Sequence, residues 1–400
     1  MRKHGLSLSG IALMVSILFL GGCWDRSEIN DMAIVTAAAI DKLDGQSIEL
    51  TLQLFIPKAL GGGSGSGGGA PSGGQQLTFV RSGKGLNIAD AASKLQARLP
   101  RRIFWGHCKV FILGEAFARE GVKEEMDYLF RHPQPRERAF MFVSQGQAAE
   151  MLRPVPPLER YTAEVARELS EQKIGIRVTL KEFLEMLDGE GQAAALPYLR
   201  LQPPQKGEKK NQSVPFIAGT AVFKRDKMNG LLTMRTTRGA LWLRKEIQKA
   251  SITVRLQGTK REFITMTPIR QRIEIKPRIH DGQWIIHVHI HTVGDLVQNG
   301  TNLDPMNPDL LHLMEQAVQR SIADRVEEAL DRLQRNLNAD IIGFGESFHR
   351  AYPKPWRQAR ERWDELFPKV QVRMDIRVNI RRPGLGSVPA AVPSDEVKEK

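Results

Sequence analysis

The sequence predicts an α+β protein of more than one domain, with mixed sheets and packed helices, ending in a largely antiparallel sheet against one long helix. Three observations carry this expectation. From Ala33 to Ser144, alternating apolar runs and amphipathic stripes follow one another in βαβαβ order, the pattern of helices packed on a mixed sheet. Between Asp309 and Leu337, the residues Met314, Val318, Ile322, Val326, Leu330, Leu333 and Leu337 recur every three or four positions, a continuous helical face. At 1.5 Å per residue that helix is roughly 40 Å long. Near the end, Val370, Val372, Met374, Ile376, Val378 and Ile380 alternate with polar residues, as a strand with one buried face requires.

The chain opens with a basic start, Arg2, Lys3 and His4, then an apolar stretch from Leu6 to Leu20. That stretch is short for a bilayer, which needs ~20 apolar residues, and fits a secretory signal. Leu20-Gly21-Gly22-Cys23 resembles a lipobox: a large apolar residue, two small ones that let an extended chain enter a peptidase groove, and the thiol that is alkylated. Residues 1–22 are therefore expected to be a lipoprotein signal peptide, with Cys23 as lipidation site. Each buried CH₂ of an acyl chain contributes ~0.8 kcal/mol, so two or three chains hold a protein firmly on a membrane. Everything after Cys23 is then expected outside the cytoplasm, which argues against ATP-dependent and cytosolic redox chemistry.

The mature chain is expected to hold an N-terminal α+β domain over 23–202. Ala33–Ile40 and Ser47–Ile56 read as strands around the turn-rich Asp41 to Gly45. The run from Gly61 to Gly74 lacks a following Gly-Lys-Ser/Thr and reads as a flexible loop rather than a phosphate cradle. Leu77–Arg81 reads as a strand, and Asn87 can cap a helix reaching Leu99. Ile103–Leu113 reads as a strand, Glu115–Phe130 as a helix and Arg138–Ser144 as a strand. Helical segments follow from about residue 155, at Leu158–Gln172 and Leu180–Leu187, the second opened by a Thr179/Glu182 capping box. Pro203, Pro204, Lys206 and Lys209 mark a linker over 203–214.

A C-terminal α+β domain is expected over 215–383. Phe216–Lys224 and Leu231–Met234 suggest a hairpin about Asn229-Gly230, followed by a short helix near Leu241–Ile247. Strands are expected at 252–256, 262–267, 270–275 and 284–293, then the long helix and the last strand. The Pro-, Ser- and Lys-rich tail over 384–400 is expected to be disordered.

Composition narrows the function without naming it. With 58 basic and 45 acidic residues among 400, the formal charge is +13. Losing Arg2 and Lys3 with the leader keeps a strong excess, suited to an anionic membrane surface or an acidic partner. Nucleic acid is not expected as a partner, because the basic residues are spread along the chain and the leader directs it outward. If Cys23 is acylated, Cys108 has no partner, so no intrachain disulfide framework is available and Cys108 is expected in the core. His287, His289 and His291 share one strand face, within reach of a zinc ion. With no nearby Cys or Glu they read instead as the polar face of a strand. Adjacent His107 and Cys108 would point to opposite faces of a strand and make no Cys-His pair. Trp356 and Trp363, seven apart on one helical face, suit a core better than a docking surface. No hydrolase, metalloprotease or nucleotide motif occurs. No catalytic residue, metal or cofactor is expected.

Trp24-Asp25-Arg26-Ser27-Glu28-Ile29, directly after Cys23, resembles the mature start of the Ger(x)C family, the lipoprotein C-subunits of spore germinant receptors. Four later stretches resemble the same family: Trp105-Gly106-His107 with Phe111 to Glu115; Pro215 to Phe223 with Gly230; Asp340 to Glu346 with Trp356, Trp363 and Phe367-Pro368; and the closing strand. Together they reach from Cys23 to about Arg382. The glycine insertion 61–74 is the main departure. The resemblance implies a non-enzymatic α+β protein at the outer surface of the spore inner membrane. It implies two membrane-embedded partners, an A-type and a transporter-like B-type subunit, in a complex that responds to nutrients. A lipid-anchored solute-binding module of a transporter is the alternative reading, and a cell-wall hydrolase a third.

Overall fold

The structure, a computed structural model, describes residues 31–56, 77–209, 211–248, 251–256 and 263–381. Cys23, the leader, the glycine run and the tail lie outside the described residues. The first sheet is built from β1 (Met32–Lys42), β2 (Ile48–Phe55), β3 (Thr78–Gly85), β4 (Arg102–Phe104), β5 (Val110–Gly114), β6 (Phe140–Ser144), β7 (Ala193–Gln202), β8 (Val214–Lys224) and β9 (Lys227–Thr233). Its order is β3-β2-β1-β5-β6-β7-β8-β9, with β4 beside the start of β1. The four central strands, β1, β5, β6 and β7, run parallel, and antiparallel pairs close both sides.

Parallel strands need crossover helices, and these cover both faces. On one face Ala38, Ile40, Phe111, Leu113, Met141 and Val143 meet α1 (Ile88–Gln96), α2 (Glu115–Glu120), α3 (Lys123–Arg131) and α5 (Leu180–Asp188). On the other, Ala37, Ala39, Val110, Ile112, Phe140 and Phe142 pack against α4 (Thr162–Glu171) and the 3₁₀ turn Ala148–Leu152. Consecutive residues alternate between the two cores, as strand geometry dictates.

The second sheet has the order β10 (Ile252–Arg255), β11 (Phe263–His280), β12 (Gln283–Asn299), β13 (Gln371–Arg381). Its first two pairings are antiparallel and the last is parallel. A parallel β12–β13 pair demands a long crossover, supplied by α7 (Pro308–Asp331) and the π turn Arg332–Leu337, then α8 (Phe344–Ala351), α9 (Pro353–Ala359) and α10 (Trp363–Leu366). The expected apolar stripe is buried: Met314, Val318, Ile322, Val326 and Leu333 are fully enclosed with Val288, Ile290 and Ile376. Asn307 opens α7 by accepting from Asp309 N and Leu310 N, with Pro308 as its first residue.

Several expectations are met at atomic detail. Asn87 Oδ1 accepts from Asp90 N at 2.9 Å. Thr179 and Glu182 cap α5 reciprocally, Oγ1 accepting from Glu182 N at 3.3 Å and Oε2 from Thr179 N at 2.7 Å.

Others are corrected. The expected strand 103–113 is two, because residues 105–109 turn inward; Cys108 N donates to Trp105 O at 2.8 Å and Trp105 is buried against Phe111. His107 and Cys108 thus sit on a turn. The expected helix 115–130 breaks at Gly121, whose φ of +139° no helix accommodates. The helix expected from Leu158 begins at Thr162, leaving Leu158 exposed. β7 was not anticipated. The hairpin turns at Arg225-Asp226, with Lys224 opposite Lys227, and Asn229-Gly230 lies within β9. There Asn229 Nδ2 donates to Leu337 O, and Gly230 leaves room for the Leu337 side chain. The helix expected near 241–247 is α6 (Met234–Leu243), capped by Thr233. The strands expected at 262–267 and 270–275 are one strand, β11, with an irregularity between Pro268 and Arg270.

Residues 203–213 join β7 to β8, which pair antiparallel from Ala193↔Lys224 to Gln202↔Val214. β8 and β9 therefore follow the linker in sequence yet complete the first sheet. One apolar core runs from beneath α1 to beneath α7.

Candidate functional site

The stretch Asp340 to Glu346 forms the joint between the two sheets. Leaving the π turn, the chain passes Asn338 in the left-handed region (φ +45°) and enters α8 through Gly343 (φ +85°). The opening of a helix leaves N–H groups without intrahelical acceptors. Asp340 supplies them: its carboxylate accepts from Gly343 N and Phe344 N at 3.0 Å and from Gly345 N at 2.7 Å. Trp363 Nε1 adds a fourth donor at 3.1 Å. The group is buried, and burial pushes its pKa above the usual carboxylate value while these donors pull it back.

Above this node lies an aromatic nest. Trp284 meets Phe348 with centroids 4.6 Å apart, and Trp356 meets Trp363 edge-on at 5.0 Å. Gly345 must be small, since a Cβ there would come within 2.8 Å of Trp356. Glu190, between α5 and β7, reaches across from the first half of the chain. Its Oε2 accepts from Trp356 Nε1 at 2.9 Å and its Oε1 pairs with His349 Nδ1 at 2.8 Å. Beside the joint opens a cleft of about 500 Å³, lined by charges of both signs: Arg177, Glu185, Arg244, Glu246, Glu346 and Arg350.

A second buried carboxylate organises the first sheet. Asp41, at the end of β1, accepts from Ala148 N at 2.6 Å and Ala149 N at 2.8 Å. Burial raises its pKa against those bonds. Gly114 makes space for it, because a Cβ there would lie 2.2 Å from Asp41 Oδ1. Next to it, Glu115 accepts from Tyr198 Oη at 2.6 Å and pairs with Arg119. Burial works to raise the Glu115 pKa, but the hydrogen bonds from Tyr198 and Arg119 outweigh it and hold it low.

Neither node brings together a nucleophile and a base. Ser347, in the cleft, spends its hydroxyl on Gly343 O at 3.0 Å. Cys108 is fully buried, and desolvation pushes its thiol up to about 12. His287, His289 and His291 share a face of β12, as expected. His289 pairs with Asp375 at 3.3 Å and His291 with Asn379 at 2.8 Å. Among the described residues no group of three or more His, Cys, Asp or Glu is placed to hold a metal. Trp356 and Trp363 are core residues. The sequence did not single out Asp41, Glu190 or the role of Asp340. Their partners are mostly backbone N–H groups and distant indoles, which leave no side-chain pattern.

The site defined by this geometry is an internal joint, where Asp340 and Glu190 tie together the two sheets of an α+β protein. Comparison with known proteins gives the family. Residues 25–201 match the family described as Spore germination protein N-terminal domain, and residues 218–384 match Spore germination B3/GerAC like, C-terminal. YfkR of Bacillus subtilis (strain 168) is 29% identical over 94% of this chain and 96% of that protein. Spore germination protein KC of the same organism is 27% identical, covering 96% of this chain and 97% of its own length. A solved structure, titled Crystal Structure of the GerBC protein, superimposes with a TM-score of 0.56 at 20% identity, covering 86% of this chain and 96% of that one, and shares its fold. The chain belongs to the Ger(x)C family of spore germination proteins. No helix among the described residues is long and apolar enough to cross a membrane.

Proposed function

We propose that the chain is the lipoprotein C-subunit of a nutrient germinant receptor, a non-catalytic component required for the germination response. Acyl chains on Cys23 anchor it at the outer face of the spore inner membrane. There it assembles with the membrane-embedded A-type and B-type subunits beside an anionic lipid surface. The observation that carries this reading is the pair of family matches, which occur in order and together span residues 25 to 384 with a short gap between them. The sequence Leu20-Gly21-Gly22-Cys23-Trp24-Asp25 supports the anchor. Deleting the gene in a spore former should slow nutrient-triggered dipicolinate release. Unchanged release, with no related gene to compensate, would count against the assignment. Cys23→Ala should free the protein from membranes and impair the same response.

The mixed-charge cleft beside Asp340 favours a second reading, a solute-binding module of a transporter. A thermal-shift screen of the full chain separates the two: tight, saturable binding of a small zwitterion would support the module.

A further inference from the structure

α6 and α7 touch backbone to backbone. At Gly239 a Cβ would come within 1.9 Å of the Arg325 carbonyl oxygen, so only glycine fits the crossing. That approach sets Arg235 and Arg238 of α6 against Arg325 and Glu328 of α7. Arg235 engages both Glu328 oxygens, Nε donating at 2.7 Å and Nη2 at 2.8 Å. Among the described residues neither Arg238 nor Arg325 makes a salt bridge to a carboxylate, Glu328 acting on Arg325 only at longer range, and the Nε–H of each is buried without an acceptor. Burial first, then the neighbouring Arg238 and Arg235, holds the Arg325 pKa below its usual value. Beside them opens a cleft of about 330 Å³, lined by Arg235, Arg255, Arg320, Ser321 and Arg325, with Asp324 the one carboxylate among the described lining residues.

Two other arginines bury an Nε without an acceptor, but each has a local explanation. Arg167 lies against Glu168, and Arg177 sits over the Phe140 ring at 5.3 Å. The pair at the helix crossing has neither. Like charges held together with unmet donors are unfavourable unless an anion joins them. Guanidinium forks match the spacing of phosphoryl oxygens, and a cleft of this volume has room for a phosphoryl group. We propose that the α6–α7 cleft is a binding site for a phosphoryl group, carried either by a lipid headgroup or by a soluble phosphate.

The test is titration of inorganic phosphate into the full chain in detergent micelles at low ionic strength, followed by calorimetry and ³¹P line width. Saturable binding is expected, and Arg325→Gln should weaken it by about tenfold or more. Arg238→Glu supplies a carboxylate from within the chain, so it should abolish phosphate binding and raise the thermal midpoint. Arg320→Gln, at the exposed rim, should weaken binding while leaving the fold intact. Adding phosphatidylglycerol or phosphatidylcholine vesicles then separates the sources. Competition by the anionic vesicles alone assigns a lipid headgroup, and phosphate binding untouched by either assigns a soluble ligand. No saturable binding of phosphate or anionic vesicles would overturn the proposal. So would wild-type affinity in folded Arg325→Gln and Arg320→Gln variants.

Discussion

At Asp340 a carboxylate enclosed by protein serves four donors, three from the backbone and one from Trp363. Asn keeps the shape but presents N–H groups where acceptors are needed, so Asp340→Asn should cost roughly 1–3 kcal/mol in urea unfolding. The pH dependence follows from the raised pKa. A carboxyl whose folded value lies above its ordinary value of 3.8 contributes most below that value and loses its contribution as pH climbs through the raised one. Asn does not titrate, so the gap between wild type and variant should be widest in acid and narrow toward neutrality. Melts at several pH values check this, and a gap that widens with pH would contradict it. Cys108 is protonated at neutral pH and shielded from solvent. Maleimide should not label it in the native protein but should in denaturant; rapid native labelling at Cys108 would show that the turn at 105–108 opens. That Cys108 is a core residue was legible from the sequence. Asp340's role was not, because three of its four partners are main-chain groups that every residue but proline carries.

Elements with a local signal were the most legible. The stripe of α7 and the caps at Asn87 and Thr179 depend on residues a few positions apart, and all are present. Thr179→Ala should therefore cost about 1 kcal/mol, measurable by chemical denaturation. Elements shaped by distant contacts were misjudged. Asn229-Gly230 resembles a hairpin turn, yet Leu337 needs the space that Gly230 leaves, and the chain turns earlier. Gly121 interrupts an otherwise helical pattern for a similar reason: its N–H follows Phe117 O while Val122 N donates to Asp226 O on the neighbouring hairpin. Gly239→Ala should be far costlier than a helix-propensity scale suggests, roughly 3 kcal/mol rather than a gain, since the α6 and α7 backbones would have to part. A stability within error of wild type would mean the helices can slide.

At the scale of the whole molecule, the fold class was legible and the sharing of strands was not. Proline and lysine at 203–209 mark a loop in sequence, but nothing in them shows that β7 and β8 on either side are partners. Pairing across a loop is a non-local fact, fixed by what β6 leaves uncovered. Proteolysis confined to residues 203–213 should therefore leave two fragments that co-elute and unfold together. Separation of the fragments without denaturant would show that the halves are independent.

The parallel partnership of β12 with β13 also carries a consequence for synthesis. β13, residues 371–381, lies beside a strand that ends far earlier in the chain, at Asn299. Until the ribosome has delivered them, Ile286, Val288 and Ile290 border an unfilled sheet margin, with the apolar flank of α7 only partly covered. Such a nascent chain is adhesive, and truncation before residue 371 should yield aggregates instead of a shorter soluble product.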